Sequence, residues 1–160
     1  MARVSLNTIE DFLAQHRIAI VGISRDEKEI SGMLLHDLTR RGYDIVLVNP
    51  NAQQIGGHPC FARVQDIHPS PDAALIMTSP SLTESAVHDC AEAGIRRVWI
   101  YGLKGEAGID PKVMEFCREA RLQVVPGECP FMFLPRNGFH GLHGFIRKIT
   151  GQYPRRQKSA

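Results

Sequence analysis

The tightest constraint in this chain is a short apolar run that stops at a glycine, Arg17-Ile18-Ala19-Ile20-Val21-Gly22. Four apolar residues in succession leave no polar face, the pattern of a strand covered on both sides in a parallel sheet. Ile30, Met33, Leu34 and Leu38 then recur at helical spacing, and Gly42 stands where a helix commonly ends. A strand, a glycine turn and a helix start together form a place for a phosphate. The turn exposes backbone N–H groups, and the helix end adds partial positive charge.

The same alternation continues along the chain. Ile45-Val46-Leu47-Val48 is a second buried run, stopped by Asn49-Pro50-Asn51. Residues 53–71 are irregular, with Gly56-Gly57 as a turn, a short strand at Cys60-Phe61 and one helical turn at 64–67. Residues 73–77 form a third buried strand, ended by Thr78-Ser79-Pro80. Ser81-Leu82-Thr83-Glu84 has the form of a capping box opening a helix that runs to Gly94. A strand over 97–101, a loop at Gly102, Gly105 and Gly108, and a helix opened by Asp110-Pro111 follow. A last strand over 122–125 stops at Pro126-Gly127. At the N-terminus, Asn7-Thr8-Ile9-Glu10 reads as a helix start capped by Asn7.

Buried strands alternating with helices predict a Rossmann-like α/β fold, a doubly wound parallel sheet in three α/β/α layers. The first strand is expected at the centre. The switch point then falls between it and the 73–77 strand, with the loops at Gly22 and Thr78 on either side. Phe139, Leu142, Phe145, Ile146 and Ile149 predict an added C-terminal helix, with glycines at 138, 141 and 144 along one ridge. We expect one domain over 1–150 and a basic, disordered tail over 151–160.

Composition narrows the function. Hydrophobic residues make up 43% of 160, enough for a real core, and the formal charge is only +2. Neither nucleic acid nor an anionic membrane surface is the expected partner. No secretory h-region and no apolar stretch of membrane-spanning length is visible, and the four cysteines lack C-x-x-C spacing. A cytoplasmic, reduced protein is expected.

The turn itself argues about the ligand. A dinucleotide site wants G-x-G-x-x-G after the first strand and an acid at the end of the second. Here the turn reads Gly22-Ile23-Ser24-Arg25-Asp26-Glu27, and the acid's place is taken by Val48-Asn49-Pro50. Both departures weigh against NAD. A serine hydroxyl and the Arg25 guanidinium offer other phosphate donors.

Ile20-Val21-Gly22-Ile23-Ser24, Val48-Asn49-Pro50, Thr78-Ser79-Pro80 and Pro126-Gly127-Glu128-Cys129-Pro130, in that order, resemble the CoA-binding domain family. That family is similar to the N-terminal domain of the succinyl-CoA synthetase alpha subunit. The resemblance spans roughly residues 9–131 and implies coenzyme A bound at the switch point. It implies that Gly22, Ser24 and Arg25, with Ile23 in the same turn, meet the phosphates. It places Asn49 and Pro50 beside the adenosine, and Thr78, Ser79 and Pro80 along the ligand. Gly127 and Cys129 belong to a matching loop near the pantetheine. Family members often carry lysine after the Asn-Pro pair; here it is Asn51, so Arg25 or Lys28 could take over the 3′-phosphate. The larger synthetases add a second domain with a phosphorylated histidine, for which these residues leave no room.

Other candidates are weaker. Cys129 reads first as a small buried residue, and a redox role requires a depressed pKa. His140 and His143 lack further ligands nearby in sequence, so no metal is expected. No nucleophile–base arrangement is visible. The expected function is a small non-catalytic module binding CoA or an acyl-CoA, with the C-terminal helix available for a homo-oligomer or a protein partner. The alternatives are a CoA-dependent enzyme or enzyme subunit acting on acyl-CoA, and an NAD(P)-responsive regulatory domain.

Overall fold

Seven strands form one sheet in the order β3-β4-β2-β1-β5-β6-β7. This computed structural model describes residues 4–102 and 104–134; the expected C-terminal helix, its glycine ridge, His140, His143 and the basic tail lie outside the described residues. The strands are β1 (Arg17–Val21), β2 (Asp44–Val48), β3 (Gln54–Ile55), β4 (His58–Phe61), β5 (Ala73–Ile76), β6 (Arg97–Ile100) and β7 (Gln123–Pro126). All neighbouring pairs are parallel except β3 with β4. The helices are α1 (Leu6–Leu13), α2 (Ile30–Arg40), α3 (Pro80–Glu92) and α4 (Pro111–Glu119).

The pleat sorts each apolar run onto two faces, because successive side chains point to opposite sides. Ile18 and Ile20 of β1 join Leu47, Leu75 and Trp99 under α1 and α2, where they meet Ile9, Phe12, Leu34 and Leu38. Ala19 and Val21 join Val48, Ile76, Val98 and Ile100 under α3 and α4, against Val87, Cys90, Val113 and Cys117. Two apolar layers on one sheet give the three-layer Rossmann-like architecture. Trp99 is fully buried and sets its ring edge-on to Phe12 at 5.3 Å.

As expected, β1 is central. The chain winds outward from it through β2 to β4, then crosses back to lay β5 on its other flank. The switch point therefore lies between β1 and β5, as the sequence predicts.

Three local expectations change. The cap of α1 is Ser5, whose Oγ accepts from the Thr8 amide at 3.2 Å, so the helix starts before Asn7. The capping-box serine, Ser81, lies inside α3: Pro80, with its preset φ, occupies the first turn, and the extended Ser79 is the entry residue. The irregular segment holds an additional two-residue strand, β3, which pairs antiparallel with β4 across Gly56-Gly57. Both glycines have positive φ, 54° and 78°, as a tight two-residue hairpin turn requires.

Candidate functional site

β1 ends in Gly22, at φ 83°, whose amide donates to the Val48 carbonyl at 3.0 Å. The turn is thus tied to the end of β2. On its other side it meets β5: a Cβ added to Gly22 would stand 2.6 Å from Thr78 Cγ2 and 2.9 Å from the Thr78 amide nitrogen. Only a glycine lets the β1 and β5 loops approach so closely.

Beyond the buried Ile23, the chain does not enter α2 at once. It folds into a loop held by side chains: the Ser24 amide donates to Ser31 Oγ at 2.9 Å, the Asp26 amide to Ser24 Oγ at 3.1 Å, and the Lys28 amide to Asp26 Oδ1 at 2.9 Å. Both serine hydroxyls accept in these bonds and keep a proton to donate. Ser31 is buried in the first turn of α2, and Gly32 beside it makes room for the loop. A Cβ on Gly32 would lie 2.4 Å from the Glu27 carbonyl oxygen. Neither residue stands out in the sequence; the glycine inside an otherwise helical pattern is the available signal. Arg25 and Lys28 are exposed, and neither joins an ion pair among the described residues. The same loop carries Asp26, Glu27 and Glu29, so its net charge does not favour an anion. Attraction there depends on where the donors point.

Asn49 proves to be a structural link. Its Nδ2 donates to the Ile23 carbonyl at 2.8 Å, its Oδ1 accepts from the Asn51 amide at 2.8 Å, and its own amide donates to Phe61 at 3.0 Å. The side chain locks the β2 end to the β1 turn. Pro50 and Asn51 beside it are exposed.

Thr78, Ser79 and Pro80 lead from β5 into α3. Thr78 Oγ1 pairs with Thr83 Oγ1 at 3.2 Å, and Thr83 Oγ1 lies 3.2 Å from the Ser79 carbonyl. These residues form one wall of a cavity of about 670 Å³ at the carboxyl ends of β5 and β6. Its other sides include Tyr101, Gly102, Lys104 and Asp110, none of them read from the sequence as a binding residue. The glycine spacing in the 102–108 loop is the one hint of them. Gly22, Ser24 and Asn49 do not line this cavity.

The 127–129 loop plays a different part. Gly127, at φ 69°, would carry a Cβ only 2.1 Å from the Glu106 amide nitrogen and from the Gly105 carbonyl carbon. It is the seat on which the β6–α4 loop rests. Trp99 Nε1 donates to the Glu128 carbonyl at 2.8 Å and fixes that seat from below. Cys129 is half-buried. Burial pushes its thiol up, against the opposing pull of the Phe131 and Met132 amides, and Glu128 adds to the rise. Tyr101 is likewise pushed up by burial, and the neighbouring Cys129 adds to it. A protonated thiol is a poor nucleophile.

The predicted residues thus fall into several settings: Arg25, Lys28 and Pro50 are exposed, and Ser79 and Pro80 line the cavity together with Thr78. Gly22, Ile23, Ser24, Asn49 and Thr78 are knit into one surface across β2, β1 and β5. Gly127 supports the neighbouring loop, and neither it nor Cys129 lines the cavity.

A parallel sheet covered on both faces, with close-packed loops at its switch point, defines a Rossmann-like α/β domain. Residues 16–135 match the CoA binding domain family, and the chain belongs to that family. It is 24% identical over 139 residues to the ADP-forming acetate–CoA ligase II of Archaeoglobus fulgidus, covering 82% of this chain and 21% of that one. The chain spans only 14 to 21% of the length of the curated relatives it matches. Among solved structures, a hypothetical protein from Pyrococcus horikoshii OT3 superposes with a TM-score of 0.69 at 22% identity, over 81% of this chain and 93% of that one. The dinucleotide-forming acetyl-coenzyme A synthetase 1 of Ca. Korarchaeum cryptofilum, in its apo form, gives 0.60 at 25% identity, over 68% of this chain and 25% of that one. The domain is therefore related to the CoA-binding part of these synthetases. No helix among the described residues is long and apolar enough to cross a membrane.

Proposed function

We propose that the chain binds coenzyme A along the carboxyl edge of its sheet and acts as a non-catalytic CoA-binding module. The observation that carries this reading is the packing of Gly22 against Thr78, which makes one continuous surface of the two loops at the switch point. An open α/β sheet takes its ligand there. The diphosphate lies over the Gly22-Ile23-Ser24 turn, within reach of the Ser24 hydroxyl and of Arg25. The adenosine lies toward Pro50, with Lys28 nearby. Asn49 holds the surface in shape instead of grasping the ligand. The pantetheine arm passes Thr78, Ser79 and Pro80. Gly127 and Cys129 shape the far end of the site from beneath.

NAD is the poorer ligand. The residue where a ribose-binding acid is wanted is Asn49, and its amide is already engaged on both sides. Isothermal titration with CoA, dephospho-CoA, NAD and NADP tests the proposal. Heat from CoA and none from the nicotinamide nucleotides is the expected result. Binding of NAD with CoA silent would overturn it.

A further inference from the structure

We infer that the cavity at the ends of β5 and β6 receives the acyl group of a CoA thioester, and that the preferred ligand carries an uncharged aliphatic acyl chain. The inference rests on the CoA reading above. Its starting point is order along the sheet. β2, β1, β5 and β6 are consecutive neighbours. Adenosine, diphosphate, pantetheine and sulfur are consecutive in CoA. A ligand with its diphosphate at the β1 turn and its arm passing Thr78 therefore brings its sulfur to the end of β6, one strand further on.

The cavity begins there. Thr78 belongs both to the contact with Gly22 and to the cavity wall. At about 670 Å³ the cavity lies within the range of small-molecule sites, about 300–1,000 Å³. Met77, Pro80, Ile100 and Ile109 give it apolar walls. Of its charged residues, Asp110 is committed to capping α4, its Oδ1 accepting from the Lys112 amide at 2.9 Å. Lys104 is exposed. Free CoA, ending in a thiol, would leave the apolar walls in water; an aliphatic chain on the sulfur would cover them.

Titration of the whole chain with CoA and with acetyl-, butanoyl- and hexanoyl-CoA tests this. Affinity should rise by up to about fourfold per added methylene while the chain stays inside the cavity. Ala107, on an exposed turn at the cavity wall, offers a filling variant. In Ala107→Phe the rise along the series should flatten. If CoA binds and the series is flat in the wild-type chain, the acyl inference fails while the CoA reading stands. A rise that Ala107→Phe leaves intact places the acyl group elsewhere and also overturns the inference. Succinyl-CoA binding more tightly than butanoyl-CoA, with the same four-carbon chain, would overturn the uncharged class. Silence from every CoA species would end both readings.

Discussion

Gly22 and Thr78 stand so close that a single added methyl group on the glycine would lie 2.6 Å from Thr78 Cγ2 and 3.0 Å from Thr78 Cα. Two costs follow for Gly22→Ala. A non-glycine residue in the left-handed region is penalised by about 1–2 kcal/mol. Forcing the β1 and β5 loops apart adds a packing penalty of about 1–3 kcal/mol. We predict a loss of about 2–5 kcal/mol by urea unfolding, together with weakened CoA binding. Unchanged stability would mean that the loops are not packed as described.

Variants of Arg25 and Lys28 test the two ends of the proposed ligand separately. Arg25 follows Ser24 directly, over the turn assigned to the diphosphate. Lys28 follows Glu27, whose carboxylate lies 3.6 Å from the Cβ position of Gly56, in the hairpin next to β2. The loop thus approaches the hairpin at Glu27, beside Lys28, on the side proposed for the adenosine. Arg25→Ala should weaken CoA and dephospho-CoA alike, by about tenfold or more, the worth of one charge-assisted bond. Lys28→Ala should weaken CoA and leave dephospho-CoA unaffected. Titration of both ligands against both variants checks the assignment, and equal losses for Lys28→Ala would refute it.

Asn49 gives a prediction about stability first and binding second. Asn49→Asp keeps the acceptor for the Asn51 amide but loses the donor to the Ile23 carbonyl, and sets a carboxylate against that oxygen. A cost of about 1–3 kcal/mol follows from the unsatisfied, repelled carbonyl. The variant should gain no affinity for NAD, although an acid now stands at the ribose position. A calorimetric signal from NAD in this variant would show that Asn49 faces the ligand after all.

Much of the fold is legible because a parallel sheet writes itself as separate apolar runs. β1, β2 and β5 are nearly uniform Ala, Val, Leu and Ile, with turn residues after each. β3 is not legible: it is two residues long, Gln54 is exposed, and its pairing follows from the Gly56-Gly57 turn rather than from its own side chains. In the site, Gly22 and Thr78 are readable because topology alone brings their loops together. Ser31 and Gly32 are not, since nothing in their spacing announces that the 24–29 loop folds back onto α2. The cavity residues Tyr101 and Lys104 are hidden for the same reason. They come from a loop whose position is set by Gly127, more than twenty residues later.

The buried thiols make stability depend on alkaline pH. Burial pushes the Cys90 thiol from the ordinary 9.0 up to about 12, with Asp89 and Cys117 adding to it, and burial pushes Cys117 up to about 11. Both groups stay protonated in the folded chain at pH values where the unfolded chain has released those protons. Their contribution is therefore complete below pH 9 and declines as pH rises from there toward 12. Tyr43 and Tyr101, also raised by burial, act in the same direction. Urea midpoints should fall steadily above pH 9, and Cys90→Ala should show a shallower fall than the wild-type chain. Equal slopes would contradict the thiol contribution.

Gly127 and Trp99 offer an optical test of the cavity's foundation. In Gly127→Ala the new Cβ would meet backbone atoms of Gly105 and Glu106 at 2.1 Å, a clash that rotating a side chain cannot relieve. The β6–α4 loop must lift, and with it Gly102, Lys104 and Asp110. Left-handed backbone and displaced packing together cost about 2–5 kcal/mol. Trp99 is the single tryptophan of the chain, fully buried, and bound through Nε1 to the Glu128 carbonyl next to the substituted residue. Its emission should be blue and resistant to acrylamide in the wild-type chain, then shift red and become quenchable in Gly127→Ala while the far-UV spectrum holds. Acyl-CoA affinity in that variant should fall further than CoA affinity, because the lifted loop is a wall of the cavity and lies away from the Gly22 turn.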